Sequence, residues 1–128
     1  MDILKSNIDT GAKEFKERIK VYQELLSTFR EKMEKVQAGG GEKAVSKHRS
    51  RGKLLARERI EELTDANTPF LELSPLAGED QYDNAFPSAG IVTGIGMIHD
   101  REAVIVANDA TVKGGTYVRE TIRKHVRA

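Results

Sequence analysis

The sequence contains no cysteine, which removes both a disulfide framework and a thiolate nucleophile from consideration. No apolar run approaches the length of a membrane span. The segment MDILKSNIDTGAKEFKER lacks the continuous apolar stretch of a secretory signal, and its early acidic residues argue against a transit peptide. A soluble, cytoplasmic protein with no membrane contact is therefore the expectation. An excess of one charge is missing too: 21 basic side chains against 20 acidic ones leave a net +1, so any polyanion binding has to rest on local clustering. Serine hydrolysis lacks its Gly-x-Ser-x-Gly elbow. Metal chemistry lacks its spacing, because His48, His99 and His125 fall in a basic helix, a turn and a terminal helix with no His-x-His or Glu-x-x-His pattern.

What remains is a chain of 128 residues, enough for one domain with a modest core. Apolar residues make up 38% and charged ones 32%, and the long N-terminal stretch takes many of the charges. The compact part is left with a lean apolar supply and is expected to depend on a partner or on further sequence.

From Ile8 onward, apolar side chains recur at alternating spacings of four and three: Ile8, Ala12, Phe15, Ile19, Tyr22, Leu26, Phe29, Met33 and Val36. This heptad stripe predicts one long helix from about Ile8 to Ala38, about 45 Å in length. The helix cannot bury the stripe against itself. Either it packs along the rest of a larger protein or it forms a coiled coil with another chain. Gly39, Gly40 and Gly41 end it, so residues 1–41 are read as a helical segment and residues 42–128 as the start of a separate domain.

The block from Glu42 to Arg59 gathers Lys43, Lys47, Arg49, Arg51, Lys53, Arg57 and Arg59 against Glu42 and Glu58. Short helices are expected before Gly52 and from about Ala56 to Leu63. Solvated helix faces, a phosphate-rich small ligand and RNA all fit such a cluster. Aromatic residues decide against RNA: between Ala38 and Pro69 there is no Phe, Tyr or Trp, so the stacking surface of a single-strand binder is absent. Asp65, Asn67 and Pro69 then break the chain before a short strand, Phe70 to Leu73, and a polar loop from Ser74 to Ala89.

Two β-rich runs, Ile91 to Ile98 and Ala103 to Ala107, read as an antiparallel hairpin closed by His99, Asp100, Arg101 and Glu102. Gly94 and Gly96 fall on one face, open to close packing or a bulge. A dinucleotide reading of this glycine pair fails, since the third glycine is missing and a hairpin partner follows where a helix should begin.

The segment Val104 to Thr116, VIVANDATVKGGT, carries a strand into a polar turn and a double glycine, with a helix expected from Tyr117 to Ala128. Gly114 and Gly115 can adopt positive φ and admit a ligand close to the main chain. A helix N-terminus beside them would add unpaired N–H donors, which together resemble the parts of an oxyanion hole. An ordinary loop is the competing reading. Asp109 stands where catalytic carboxylates occur, yet also where a turn former bonds its own backbone. Lys113 either meets an anionic ligand or is merely exposed.

RGKLLARERIEELTD (Arg51 to Asp65), PFLEL (Pro69 to Leu73), AGIVTGIG (Ala89 to Gly96) and ANDATVKGGT (Ala107 to Thr116) resemble, in order and spacing, the carboxyltransferase β subunits of biotin-dependent acyl-CoA carboxylases. The wording NDATVKGGT, with Tyr82-Asp83 upstream, is closer to the methylcrotonyl-CoA branch than to the propionyl-CoA branch. Ser88-Ala89 departs from it, standing where many members of that branch carry further glycine. The resemblance implies an α/β fold, the N-terminal part of a crotonase-like domain of repeated ββα units, preceded by the long amphipathic helix. It also implies an acyl-CoA thioester substrate, biotin carried on a separate subunit or domain, a biotin carboxylase and carrier partner, and a homo-oligomer. In such enzymes the biotin ring accepts the acyl proton, and the protein contributes placement and oxyanion stabilisation. The resemblance thus gives Gly114 and Gly115 a catalytic role, with Arg51, Lys53 and Arg57 as candidates for the coenzyme A phosphates and Lys113 beside them. Family subunits continue well past Thr116, so this stretch is expected to be an N-terminal fragment, inactive by itself. Its rival reading is a non-catalytic assembly or binding fragment that uses the Ile8 to Val36 stripe.

Overall fold

The computed structural model describes residues 6–128. The first helix, α1, spans Lys13–Gln37 and so starts later than the stripe predicts. Asp9 is the cause: its Oδ1 accepts the Gly11 N–H at 2.8 Å and its carbonyl accepts the Ala12 N–H at 3.3 Å, an alternative to helical bonding that a short polar side chain offers readily. The chain divides into two compact units between Lys32 and Met33, inside α1. In the first unit Ile19, Tyr22 and Phe29 are exposed.

The second unit takes the end of α1, where Val36 is buried. It continues through α2 (Glu42–Arg49), α3 (Ala56–Leu63), β1 (Leu71–Leu73), β2 (Ile91–Ile98), β3 (Arg101–Asn108) and α4 (Arg119–Arg127). The strands form one antiparallel sheet in the order β1-β2-β3, with Gly94 opposite both Glu72 and Ile105. The hairpin turn is shorter than expected. His99 and Asp100 alone form it, at φ 51 and 60, the pair of positive values that matches strand twist in a two-residue connection. Asp65 holds that turn, its two carboxylate oxygens accepting the N–H groups of His99 and Asp100 at 2.8 Å each. These bonds keep the Asp65 carboxyl below its ordinary pKa.

Strand alternation puts Val92, Gly94, Gly96 and Ile98 on one face. Ala56 and Ile60 of α3 pack there with Val92 and Ile105, and Phe70, Ile98 and Ala107 border them. The glycines make room for Phe70. A Cβ on Gly94 would stand 2.2 Å from the Phe70 ring and 2.6 Å from the Leu71 carbonyl, so the close packing anticipated for this face is a ring laid on bare backbone. Arg57 on α3 and Glu72 on β1 pair across the same face at 2.7 and 3.0 Å.

At the other face α4 covers only the end near Leu73 and Thr93, while Leu71, Ile95, Val104 and Val106 stay exposed. The helix begins at Arg119, two residues later than expected, because Thr116 and Val118 are extended and the Val118 N–H is capped by Thr121 Oγ1 at 3.1 Å. From α4, Lys124 donates to Ser88 O (3.2 Å), Ser88 Oγ (2.5 Å) and Ile91 O (2.7 Å), and Thr121 donates to Ala89 O at 2.6 Å. These bonds pin a turn in which Ser88 and Ala89 both sit at φ 54, a left-handed conformation costing about 1–2 kcal/mol per non-glycine residue. No helix among the described residues is long and apolar enough to cross a membrane.

Two outcomes are expected. Gly94→Ala should lower unfolding free energy by about 2–3 kcal/mol through overpacking against Phe70, measured by urea titration. Burial lowers Lys124 to about 8 from 10.5, so between those values the unfolded chain binds more protons than the folded one and stability rises with pH. Melting temperatures compared with Lys124→Met should show wild type gaining on the variant as pH climbs from about 8 towards 10.5.

Candidate functional site

A cleft of about 650 Å³ opens between the glycine run after α1, the C-terminal end of α2 and the turn that follows β3. Helix α2 delivers Lys47 and His48 from its last turn, where cations also suit the helix dipole. Arg51 follows one turn later, on the connection that His48 braces through a 3.1 Å contact between its Nε2 and the Leu54 carbonyl. From the opposite side come Ala110, Thr111, Lys113 and Gly114, and from the polar loop Asn84, Ala85 and Pro87. Lys47, Arg51 and Lys113 are thus gathered in a wall that contains no carboxylate.

The two sides meet where Gly39 and Gly40 lie against Asp109 and Thr111. Gly40 N–H donates to Thr111 Oγ1 at 2.9 Å, and Thr111 in turn bonds Asp109 Oδ1 through its hydroxyl (2.6 Å) and its N–H (2.9 Å). A Cβ on Gly40 would lie 1.8 Å from the Thr111 carbonyl oxygen, so only glycine permits the approach. Asp109 is buried in this network and acts as a turn former; its carboxylate is occupied by its own neighbours.

The predicted site residues separate. Arg51, Lys113 and Gly114 line the cleft; Lys53 is exposed and outside its wall. Arg57 is held by both Glu72 oxygens and also donates to the Val36 carbonyl at 3.4 Å. Its guanidinium is part of the α3–β1 packing and stands outside the cleft wall. Lys113, Gly114 and Gly115 have φ of 46, 71 and 83. Gly114 faces the cleft, with open space where a Cβ would be. Gly115 turns inward: its N–H donates to Val112 O at 2.8 Å and its carbonyl accepts Asn108 Nδ2 at 3.1 Å. The pair therefore does not offer two free amides, and α4 does not begin beside it. Sequence reasoning misses Lys47 as a site candidate, although Lys47 and Arg51 stand four apart in the basic block, the spacing that places side chains on one helical side. The contribution of Asn84 to Pro87 has no signal beyond polarity. Among the described residues no group of three or more His, Asp or Glu is arranged to hold a metal.

Residues 47–128 match the carboxyl transferase domain. The chain belongs to this family. It is 51% identical over 126 residues to the mitochondrial methylcrotonoyl-CoA carboxylase beta chain of Arabidopsis thaliana, covering 98% of this chain and 22% of that protein. The corresponding beta chain of Dictyostelium discoideum is 52% identical over 128 residues, again with 22% of its length covered. Among solved structures, the beta subunit of P. aeruginosa geranyl-CoA carboxylase superimposes with a TM-score of 0.81 at 33% identity, over 97% of this chain and 23% of that one. Transcarboxylase 12S with methylmalonyl-coenzyme A bound gives 0.73 at 33% identity, over 82% and 21%. The chain thus spans about a fifth of the length of the relatives it matches. Their crotonase-like fold class is the one to which the β2-β3-α4 unit belongs.

Gly40→Ala is expected to cost about 3 kcal/mol or more, because the main chain of Thr111 cannot yield to a methyl group. Chemical denaturation reads the loss, and Gly41→Ala, where a Cβ meets nothing within 4 Å, separates overlap from backbone strain at positive φ.

Proposed function

We propose that this chain supplies the coenzyme A side of a carboxyltransferase active site that moves a carboxyl group from carboxybiotin to an acyl-CoA, with 3-methylcrotonyl-CoA as the acyl substrate. The observation that carries the reading is the carboxylate-free cleft with Lys47, Arg51 and Lys113 in its wall. Coenzyme A brings several phosphate charges, and cations converging from two elements meet them with charge-assisted bonds. Gly114 allows the ligand close to the main chain where a side chain would intrude. The identity to methylcrotonoyl-CoA carboxylase beta chains supports the choice of acyl group.

Carboxybiotin, when bound, would supply the carboxyl group and the base for the acyl proton. The cleft residues play a narrower part, anchoring the nucleotide end of the thioester so that the acyl carbon is presented at a fixed distance from the cleft. No described side chain is assigned to biotin. The proposed assembly includes a biotin carboxylase and carrier partner and further copies of the carboxyltransferase.

Calorimetric titration of coenzyme A into the chain is the test. Arg51→Ala and Lys113→Ala should each weaken binding about tenfold, and affinity should fall as salt rises, as expected for charge-assisted phosphate contacts. Arg57→Ala should lower stability by about 2–3 kcal/mol by stranding the half-buried Glu72, yet leave affinity within about twofold at temperatures where the fold is intact. Binding indifferent to Arg51 and Lys113 would remove the proposal.

A further inference from the structure

The face of α1 that the catalytic reading leaves unused has a charge pattern of its own. Ile19, Tyr22 and Phe29 are 39%, 60% and 47% exposed, and Leu25, at 62%, widens the stripe in its middle. On a heptad wheel through Phe15, Ile19, Tyr22, Leu26 and Phe29, the positions bordering the stripe between residues 13 and 31 are Lys16, Arg18, Gln23, Leu25 and Arg30. None is acidic. The carboxylates Glu14, Glu17, Glu24 and Glu31 all fall on the outer side of the helix. Lys16 and Arg30 form no ion pair among the described residues, and Arg18 reaches Glu14 only at 3.9 Å, with both side chains more than four-fifths exposed.

Self-pairing finds no complement for this border. A parallel pair places Arg18 against Gln23 and Leu25 against Arg30, so each cation meets a neutral group. An antiparallel pair brings Lys16 of one copy towards Arg30 of the other, cation against cation. Opposite charges at such border positions choose partners and register, and like charges exclude them. An anionic bilayer would attract the cations as well. It fits less well, because amphipathic surface helices present a broad apolar face and a basic polar side, whereas this helix keeps a heptad seam and four glutamates on the side away from it.

We propose that the α1 stripe docks on a protein surface whose apolar floor is rimmed by carboxylates, and not on a second copy of itself. Recognition is then a seam of Ile19, Tyr22, Leu26 and Phe29 set into the floor, with Lys16, Arg18 and Arg30 meeting acidic groups along both edges. This inference concerns the first unit and is independent of coenzyme A binding.

A charge-reversed form of this chain, K16E/R18E/R30E, provides the acidic-rimmed apolar probe. Its helix content by circular dichroism should match wild type, since glutamate is a good helix former. Sedimentation of an equimolar mixture of wild type and K16E/R18E/R30E at low salt should show a one-to-one complex, at least about tenfold tighter than self-association of either chain, and weakened in about 0.5 M salt. Ile19→Asp in the wild-type chain should abolish that complex while leaving coenzyme A binding unchanged. Wild type that self-associates as tightly as it binds the reversed chain, in an Ile19→Asp-sensitive manner, would overturn the proposal in favour of a homotypic coil. Absence of a mixed complex would also overturn it, as would wild-type binding to phosphatidylserine vesicles tighter than binding to the reversed chain.

Discussion

The cleft exists because Gly40 lies directly against the main chain of Thr111. That approach, with a Cβ position 1.8 Å from a carbonyl oxygen, ties the end of α1 to the turn after β3. Remove it, and the two walls that carry Lys47 and Arg51 on one side and Lys113 on the other lose their common reference. The bond from Gly40 N–H to Thr111 Oγ1, itself oriented by Asp109, makes the junction directional as well as close. A glycine run that reads as a helix stop is therefore also the hinge pin of the site.

Much of this architecture is legible in the sequence, for identifiable reasons. Period-two apolar runs with turn residues between them mark β2 and β3, and the heptad stripe marks most of α1. Boundaries fail where a single side chain competes for backbone: Asp9 delays α1, Thr121 caps α4 late, and Asp65 tightens the hairpin to two residues. The candidate site is legible as a cluster of charge but not as a geometry. Arg51 and Arg57 look equivalent in the basic block, yet they differ by six residues along a chain that turns into α3, and Glu72 on β1 draws only Arg57 away. Pairings of that kind depend on which strand lies beside which helix, information no local window contains. Gly115 escapes a sequence reading for a related reason, because its partner Asn108 lies on β3, across the turn.

The Ser88-Ala89 turn shows how a departure from glycine is sustained. Two residues at φ 54 store local strain, and α4 counters it with four hydrogen bonds from Lys124 and Thr121. Lys124 is costly to bury as an ammonium, so one unfavourable feature is held in place by another that is only partly compensated. The start of β2 gains its fixed direction from this arrangement, and with it Val92 reaches the core.

The sheet has one short border strand and one long one. β1 offers three residues, whereas β3 presents Arg101–Asn108 with its outer row of N–H and C=O groups available among the described residues. Beside that row, Val104 and Val106 expose apolar side chains on the face α4 does not reach. A rim of this length and character is a template for another strand, and growth of the sheet has a single preferred direction, outward from β3. Prepared in isolation, the polypeptide carries the same rim into solution, where concentration, not sequence, decides whether strands from neighbouring molecules occupy it.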